Sequence, residues 1–540
     1  MTATVPTESG PYKSTVRPGR DGFGWQLRAE WTKFRTVRGW VIAMLIAALL
    51  PMAVAFLSHD DCSIGNAACP ASPTGPSGGA VTDNFYFAHQ SLTGNGTITA
   101  QVTSLTGEYS AGGGMRVNGT PVSGFTRGLQ PWSKAGIMIK ASTRQGSAYA
   151  AMLVTGAHGV RMQWNYTGDT AGLPGAVSAS SPRWLRLTRS GDTVTGYDSP
   201  DGTHWTLVDT VTLSGLPRAA QIGLFATSPG HAVTTTSFGG SSSTGGPSLA
   251  TGTFDNVGLP SSGQAGASLT GTDIGDSTPG ISPGGPLGAQ NPFNGKLSQS
   301  GGTYTVTGSG DIAPDVPEAP DGNGMSVQSA LTGMVFALIA VIIVAALFIT
   351  AEYRRGLIRT TFTASPRRTR VLAAKAVVIG GVTFAAAIVG AVVALKVGEQ
   401  QMRAGGNWLL PVPALTEIRM VAGIAAMLAV AAVLALALGT LTRHGVTAVT
   451  TVIVVIFLPF LLGTLQGLLP LGAQEWLLRL TPAAGFAVLQ ELPAYHQVLA
   501  QYTPADGYFP LAPWTGFAVL CAWAGAALLA ADYVLRRRDV

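Results

Sequence analysis

Six apolar runs of membrane-spanning length constrain this chain more than any other feature of its sequence. A stretch of about 18 or more residues with few charges is long enough to cross a bilayer as an α-helix. Only 11% of the residues are charged and the mean hydropathy is +0.31, which argues against a soluble globular protein. We therefore predict six transmembrane helices, at residues 40–57, 327–350, 371–397, 420–441, 446–469 and 514–535.

The 269 residues between the first two runs, 58–326, have a different pattern. Short segments rich in Thr, Val, Ile and aromatic residues are separated by Gly-Asp and Asp-Gly pairs, which predicts β-strands joined by hairpins. Many short strands without long helices favour two packed sheets. The predicted fold class is therefore membrane α-helical, with six transmembrane helices and an all-β sandwich inserted between helices 1 and 2.

The charge distribution orients the chain across the membrane. Residues 58–326 carry eleven basic and sixteen acidic residues, whereas the rest of the chain carries 22 basic and 11 acidic residues. The basic residues lie before the first run, between the second and third, between the fourth and fifth, and after the sixth, which the positive-inside rule assigns to the cytoplasm. We expect both termini in the cytoplasm, the insertion outside the cell, and no nucleic-acid partner, since the basic residues are not clustered on a soluble domain.

These patterns divide the chain into segments with different expected structures. A cleaved signal peptide in place of helix 1 is disfavoured, because a long polar stretch of 39 residues precedes the run. The predicted segments are a flexible cytoplasmic tail (1–21), an interfacial amphipathic helix (22–39), transmembrane helix 1 (40–57), an extracellular linker (58–81), the β-sandwich (82–260), a Gly/Pro/Ser-rich segment (261–326) and transmembrane helices 2–6 (327–540).

The segment before the first run predicts a helix that lies along the inner leaflet. Its basic residues fall on other faces than the apolar ones, as an interfacial helix requires. Glu30 interrupts the apolar face; pairing with Lys33, pairing with another subunit, and a solvated charge at the edge of the face are all open. The apolar face comprises Phe23, Leu27, Trp31, Phe34 and Val37.

Two cysteines follow the first run closely. Cys62 and Cys69 lie in the sequence DCSIGNAAC, on the side of the membrane where an oxidising compartment allows a disulfide. Zinc is the poorer interpretation, because no histidine pair is near to complete a tetrahedral site. We predict a disulfide between these two residues and no metal site.

The sequence lacks the residue patterns of an enzyme. Hydrolysis of a glycosidic bond requires two carboxylates that flank it, and Glu108 is the only glutamate between residues 58 and 317. Asp198 and Asp201 lie in DSPDGTHW, which is typical of a hairpin turn, although calcium binding there stays open. The chain also lacks the phosphate-binding motif Gly-x-x-x-x-Gly-Lys-Ser/Thr, so we expect no catalytic residues, no ATP hydrolysis and no cofactor on this chain.

The insertion resembles the concanavalin A-like, laminin G-like jelly-roll module of bacterial surface proteins. The resemblance rests on PWSKAGIMIKAS, GVRMQWN, PRWLRLTRSGDTVTGYDSPDGTHW and IGLFATS. It implies the fold and leaves the ligand open, with a glycan or a protein as candidates. Residues 272–312 resemble strands that normally precede residues 82–102, which favours a circularly permuted sandwich over a degenerate linker.

The remaining segments resemble the permease subunit of type-2 ATP-binding-cassette (ABC) exporters. The resemblance rests on LRAEWTKFRTVRGW, ITAEYRRGLIRTTFTASPRRTRVLAAK and RLTPAAG, and it covers about residues 20–58 and 326–540. It implies a homodimer or heterodimer of permeases in the plasma membrane of a bacterium. A separate ABC ATP-binding subunit, which holds ATP and magnesium, would drive the translocation pathway.

The same resemblance assigns a role to the loop between helices 2 and 3. In the family this cytoplasmic loop forms the coupling helix that docks into the ATPase subunit. The alternative is that its arginines only fix the topology and contact anionic lipid headgroups of the bilayer. The residues that the resemblance places at the ATPase are Glu352, Tyr353, Arg354, Arg355, Gly356, Leu357, Ile358, Thr360, Thr361 and Phe362.

Two other functions compete with transport. One is a membrane-anchored receptor or adhesion protein whose sandwich binds a surface glycan, although a single helix would suffice as an anchor. The other is an ABC-type complex that transmits force to outside partners without moving a substrate. The motif in the loop between helices 2 and 3 favours the permease.

Overall fold

The computed structural model combines a bundle of long helices with a two-sheet β domain. It describes residues 22–57, 63–64, 67–68, 71–110, 125–237, 240–260, 269–275, 294–317, 319, 322, 324–364, 367–465, 468–500 and 502–537. The predicted tail and the disulfide between Cys62 and Cys69 lie outside these residues. The flexible tail and the disulfide therefore remain predictions.

Six helices in the described part of the chain are long and apolar enough to cross a membrane. They coincide with the six predicted runs, and the short helices α1, α4 and α8 lie beside them. The helices are α1 (Phe23–Thr36), α2 (Arg38–Leu57), α3 (Met334–Arg354), α4 (Leu357–Ala364), α5 (Arg368–Ala404), α6 (Ala414–Thr442), α7 (Gly445–Thr464), α8 (Leu471–Leu480) and α9 (Pro513–Arg537).

Several span boundaries differ from the predicted runs: α6 begins at Ala414 and not at residue 420, and α7 ends at Thr464 and not at residue 469. The second span begins with a 3-10 helix, Val327–Leu331, whose first N–H groups are capped by Ser326, and α3 follows only at Met334. α5 has 37 residues, about 55 Å at 1.5 Å per residue, and so exceeds the hydrocarbon thickness of about 30 Å. Apolar runs locate the membrane-facing part of a helix, whereas the backbone hydrogen bonds continue into the polar flanks.

The chain between α7 and α9 packs into the bundle. We call residues 481–512 the α8–α9 loop; it contains the 3-10 helix Pro482–Leu489, all of whose residues are buried. Gly516 of α9 permits this close packing, because a Cβ at that position would lie 2.2 Å from the carbonyl oxygen of Ala484. The sequence analysis placed no such element here, since eight residues are too few for a span.

The β domain contains strands from both halves of the 58–326 insertion. The strands are β1 (Ser63–Ile64), β2 (Ala67–Ala68), β3 (Val81–Asp83), β4 (Phe85–Thr93), β5 (Gly96–Ser110), β6 (Phe125–Arg127), β7 (Lys134–Lys140), β8 (Tyr149–Thr155), β9 (Val160–Trp164), β10 (Gly168–Ala171), β11 (Arg183–Ser190), β12 (Thr193–Ser199), β13 (Thr206–Thr212), β14 (Ala219–Thr227), β15 (His231–Ser237), β16 (Gly240–Gly246), β17 (Ser248–Gly258), β18 (Thr270–Ile274), β19 (Lys296–Ser300), β20 (Thr303–Gly308) and β21 (Ile312–Pro314).

Two antiparallel sheets form the sandwich. The first has the order β10-β9-β8-β7-β14-β4-β18, and the second has the order β13-β12-β11-β5-β17-β20-β19, with β6 beside β5. β18 pairs with β4, and β20 pairs with β17, so residues 270–274 and 296–308 are strands of the sandwich. The circular permutation remains an interpretation of their order along the chain.

The core between the sheets follows the alternation of the strands. Ile98, Ala100 and Val102 of β5 point into it, as do Leu185 and Leu187 of β11. β7 and β8 are buried along their whole length, because a second apolar cluster covers the other face of the first sheet. That face is closed by β3 and β21, which pair with each other.

Buried lysines connect β7 to the strands that cover it. Lys140 Nζ lies 2.8 Å from Asp83 Oδ2, and Lys134 Nζ lies 2.6 Å from Asp311 Oδ1. All four side chains are at least nine-tenths buried, so removing any one of them would leave an uncompensated buried charge. These pairs fix the ends of the insertion, before β4 and after β20, to the same sheet.

The sandwich contacts the helical region through the α8–α9 loop. Gln497 Nε2 donates to the carbonyl oxygen of Tyr166 at 3.1 Å, and Val498 packs with Val316, which follows β21. The same loop meets the start of the second span, where Glu491 Oε2 accepts hydrogen bonds from Ser326 Oγ at 2.6 Å and from the Gln328 N–H at 3.0 Å. The loop therefore contacts both the β domain and the helix that follows it.

Candidate functional site

The Arg-rich turn between α3 and α5 is built around a reversal at Gly356. α3 ends at Arg354, Gly356 has φ of +68°, and α4 begins at Leu357. Glycine suits this left-handed conformation because a Cβ would be strained there. The sequence therefore produces a separate short helix, α4, between the ends of two spans.

The residues predicted at the ATPase contact differ in exposure. Glu352 and Ile358 are buried within the chain, so they can position the loop but offer no surface to a partner. Leu357 is 48% exposed, which leaves an apolar side chain in water beside arginines. Tyr353, Thr361 and Phe362 are half-buried, and the exposed group comprises Arg354, Arg355, Gly356, Leu357 and Thr360.

Four charged side chains join three helices beneath this turn. Lys375 Nζ of α5 lies 2.7 Å from Glu30 Oε2 of α1 and 2.7 Å from Glu352 Oε1 of α3. Lys33 Nζ lies 2.8 Å from Glu30 Oε1 and 3.3 Å from Glu352 Oε1. We call these residues (Glu30, Lys33, Glu352 and Lys375) the charge network. Two carboxylates and two ammonium groups make it formally neutral.

Burial makes this network sensitive to the loss of any member. The side chains of Glu30 and Lys375 are 2% and 1% exposed. A buried ion pair is weak evidence for stability, but removing one partner is strongly destabilising because the other charge stays buried. Burial alone would lower the pKa of Lys33, yet the hydrogen bonds and charges of Glu30 and Glu352 together outweigh it, so this pKa is raised and Lys33 is held in its charged form.

Aromatic rings surround the network on the membrane side. The Phe348 ring lies 4.9 Å from Lys375 Nζ, within range of a cation–π interaction. Phe34 of α1 and Trp40 of α2 both pack edge-on against Phe348, with centroid distances of 5.9 and 5.0 Å. α1 is thus attached to α3 by charge and by aromatic packing.

These contacts show which side of α1 packs on the bundle, whereas its placement along the inner leaflet stays a prediction. The face that packs on the bundle consists of Leu27, Glu30 and Phe34, and Glu30 belongs to it as an ion-pair partner. Phe23 and Trp31, predicted on that same face, are 41% and 46% exposed. Glu30 pairs with Lys33, one of the open alternatives, and is not a solvated charge.

Sequence reasoning missed Lys375 as a partner. Lys375 lies near the start of the predicted run 371–397, where snorkelling or pairing of a lysine is tolerated, and the sequence alone does not identify its partner. One signal was available, since Glu30, Glu352 and Lys375 all fall at the same predicted membrane depth on three different segments. Opposite charges at one depth in a low-dielectric region are expected to pair.

The buried charges of the sandwich are the pairs Lys140–Asp83 and Lys134–Asp311, which hold strands together, and the acidic hairpin turn is separate from them. Asp201 Oδ1 accepts hydrogen bonds from the N–H groups of Thr203 and His204, as a turn residue does. Its side-chain hydrogen bond with His204 lowers the pKa of Asp201 and raises that of His204. In the described ranges no group of three or more His, Cys, Asp or Glu side chains is placed to hold a metal ion.

Solved structures resemble parts of this chain only weakly. A functionally unknown protein from Saccharomyces cerevisiae is 14% identical, with 32% of this chain and 72% of that chain covered and a TM-score of 0.19. Scytalido-glutamic peptidase with a transition state analog inhibitor is 11% identical, with 42% and 98% covered and a TM-score of 0.25. These scores are too low to carry an argument. No curated protein matches this chain.

Comparison with protein families concerns a much larger part of the chain. The sequence profile of the ABC-2 family transporter protein matches residues 138–540, which include five of the six candidate spans and the Arg-rich turn. This match agrees with the resemblance noted on the α3–α5 motif. The chain belongs to the ABC-2 transporter family and is a multi-pass membrane permease of an ABC transporter.

Proposed function

We propose that this permease is driven by a separate ABC ATP-binding subunit that docks on α4, and that two permease chains enclose the translocation pathway. ATP and magnesium would be held by the partner. The observation that carries the proposal is the exposed Leu357 on a short helix fixed to the buried charge network. An apolar side chain on an Arg-rich turn gains free energy when a partner covers it.

The charge network explains how docking would reach the membrane helices. α4 follows α3 directly through Gly356, and Glu352 lies four residues before that glycine. Because Glu352 shares Lys375 with Glu30, α3 and α5 cannot separate from α1 without breaking buried ion pairs. A displacement of α4 is therefore expected to move α1, α3 and α5 together.

We further propose that both termini are cytoplasmic and that the sandwich lies outside the cell. The acidic excess of the insertion and the basic excess of the remaining chain support this orientation. The sandwich and the Arg-rich turn also join opposite ends of α3, so one helix crossing separates them. The cell would be bacterial, as the jelly-roll resemblance implies.

The test of the proposal is the recruitment of the ATPase by the purified chain. Leu357→Asp should weaken association with the co-expressed ATP-binding subunit at least about fivefold, because an interface residue of this kind contributes roughly 1–3 kcal/mol on burial. Thr363→Asp is the matched control, since Thr363 is exposed on another face of α4 and adds the same charge. Equal recruitment by both variants would refute docking through Leu357.

A force-transmitting complex without a transported substrate is the second candidate. The contacts of the α8–α9 loop with Tyr166 and with Ser326 favour it, because they connect the sandwich to the first turn of the second span. Both functions share the ATPase partner. The two functions can be distinguished by measuring ATP turnover in reconstituted vesicles. Turnover that needs no substrate and is stimulated by a ligand of the sandwich would favour force transmission over transport. Absence of any ATPase partner would favour a glycan-binding receptor.

A further inference from the structure

A basic cavity lies beside the charge network, between the α3–α4 turn and the α6–α7 turn. Its volume is 780 Å³, within the range of ligand sites. Among the described residues that line it, none is acidic, whereas Arg354, Arg359, Arg443 and His444 all border it. The described lining of the cavity therefore carries an excess of positive charge.

Arg443 is the strongest sign that a ligand belongs here. Its Nε and Nη2 atoms are buried, and neither has a hydrogen-bond partner within the described part of the chain. The Tyr353 hydroxyl beneath it is likewise buried without a partner, and the guanidinium carbon lies 5.5 Å from the Tyr353 ring centroid. Buried donors are almost always paired, so these three donors together favour an acceptor with several oxygens.

The backbone adds to the preference for an anion. α7 begins at Gly445 and α4 begins at Leu357, and both helix starts border the cavity. The first N–H groups of a helix lack intrahelical partners and carry the positive end of the helix dipole. Two helix starts and the half-buried Arg443 thus border one space, an arrangement that suits phosphate.

The rim of the cavity identifies the source of that phosphate. Val446 is 82% exposed and Leu347 is 42% exposed, and both border the cavity on helices that are candidate membrane spans. A soluble phosphate would leave these apolar side chains uncovered, whereas the acyl chains of a lipid would cover them. We propose that the cavity binds the phosphate of an anionic lipid headgroup, with Arg443 and Tyr353 as its main donors and Arg359 at the rim.

This inference goes beyond the proposed function and does not depend on it, because the site lies within one chain and needs no ATPase. The occupant would contact the first turn of α4 and the α6–α7 turn together. A bound lipid would therefore hold α4 in place whether or not a partner docks on Leu357.

The test measures lipid retention by the full-length chain purified without a partner. In detergent exchanged against phosphatidylglycerol and phosphatidylcholine, native mass spectrometry should show preferential retention of phosphatidylglycerol. Arg443→Gln should lower that retention about tenfold, and Tyr353→Phe, which removes one hydroxyl and keeps the ring, should lower it about threefold. The second variant keeps the test valid if Arg443→Gln folds poorly.

Arg355→Gln is the matched control. Arg355 is exposed in the same turn and does not line this cavity, so its removal should leave retention within about twofold. Equal losses in Arg355→Gln and Arg443→Gln, or equal retention of phosphatidylcholine, would overturn the proposal. Glycerol 3-phosphate binding as tightly as phosphatidylglycerol would overturn the lipid assignment, and tighter binding of a polyglutamate peptide would assign the cavity to an acidic protein segment.

Discussion

Lys375 is the residue whose loss should destabilise the helical region most. Its ammonium group lies 2.7 Å from a carboxylate oxygen of both Glu30 and Glu352. Lys375→Met removes the charge and keeps an unbranched apolar side chain. Two buried carboxylates then share only Lys33, which lies 2.8 Å from Glu30 and 3.3 Å from Glu352.

The size of the effect follows from burial. Breaking a buried ion pair by removing one partner costs about 3–5 kcal/mol. The Lys33 side chain is 39% exposed, so solvent screens its attraction and it compensates only in part. We therefore expect Lys375→Met to lower the free energy of unfolding by about 3 kcal/mol, the lower end of that range.

Equilibrium unfolding in mixed micelles, followed by tryptophan fluorescence, measures this difference. Trp40 is a suitable reporter because its ring packs on Phe348 above the network. Lys396→Met is the matched control, since that side chain is 59% exposed and its loss should change the unfolding free energy by less than about 0.5 kcal/mol. Equal unfolding free energies for the two variants would refute the reasoning.

Three further predictions concern other parts of the chain. Ser214→Cys, an exposed position in the sandwich, should react with an impermeant thiol reagent in intact cells, and labelling only after lysis would contradict the outside placement. Cys62 and Cys69 should resist alkylation until reduction, whereas free thiols at both would contradict a disulfide. Burial raises the pKa of Glu491 above its ordinary value of 4.5. Above pH 4.5 the folded chain therefore binds more protons at this residue than the unfolded chain does, and the contribution of Glu491 to stability falls as pH rises. Glu491→Gln should flatten that decline in unfolding measured against pH.

The spans and the two-sheet insertion could be predicted because both follow from local patterns. A run such as 420–441 identifies its helix by length and hydropathy alone, and α6 contains all of it. Alternation in β5 and β11 likewise predicts which side chains point into the core. Neither inference requires knowledge of which segments are neighbours in space.

The charge network could not be predicted in the same way, because its members are distant in sequence. Glu30 and Lys375 are 345 positions apart, and only the packing of α1 against α5 brings them together. The 3-10 helix Pro482–Leu489 was missed for a related reason, since its burial depends on Gly516 of α9. Local sequence identifies each element, whereas a buried polar contact depends on the arrangement of several.

α3 is attached to other parts of the protein at both of its ends. The 3-10 helix that precedes it is held by Glu491 of the α8–α9 loop, which also contacts the sandwich through Gln497. Its last turn carries Glu352, held by Lys375 and Lys33. Between these attachments α3 is almost wholly apolar and closely packed, so it is stiff along its length. A displacement at the Arg-rich turn would therefore be expected to reach the sandwich end by movement of the whole helix, since α3 has no interior break that would absorb it.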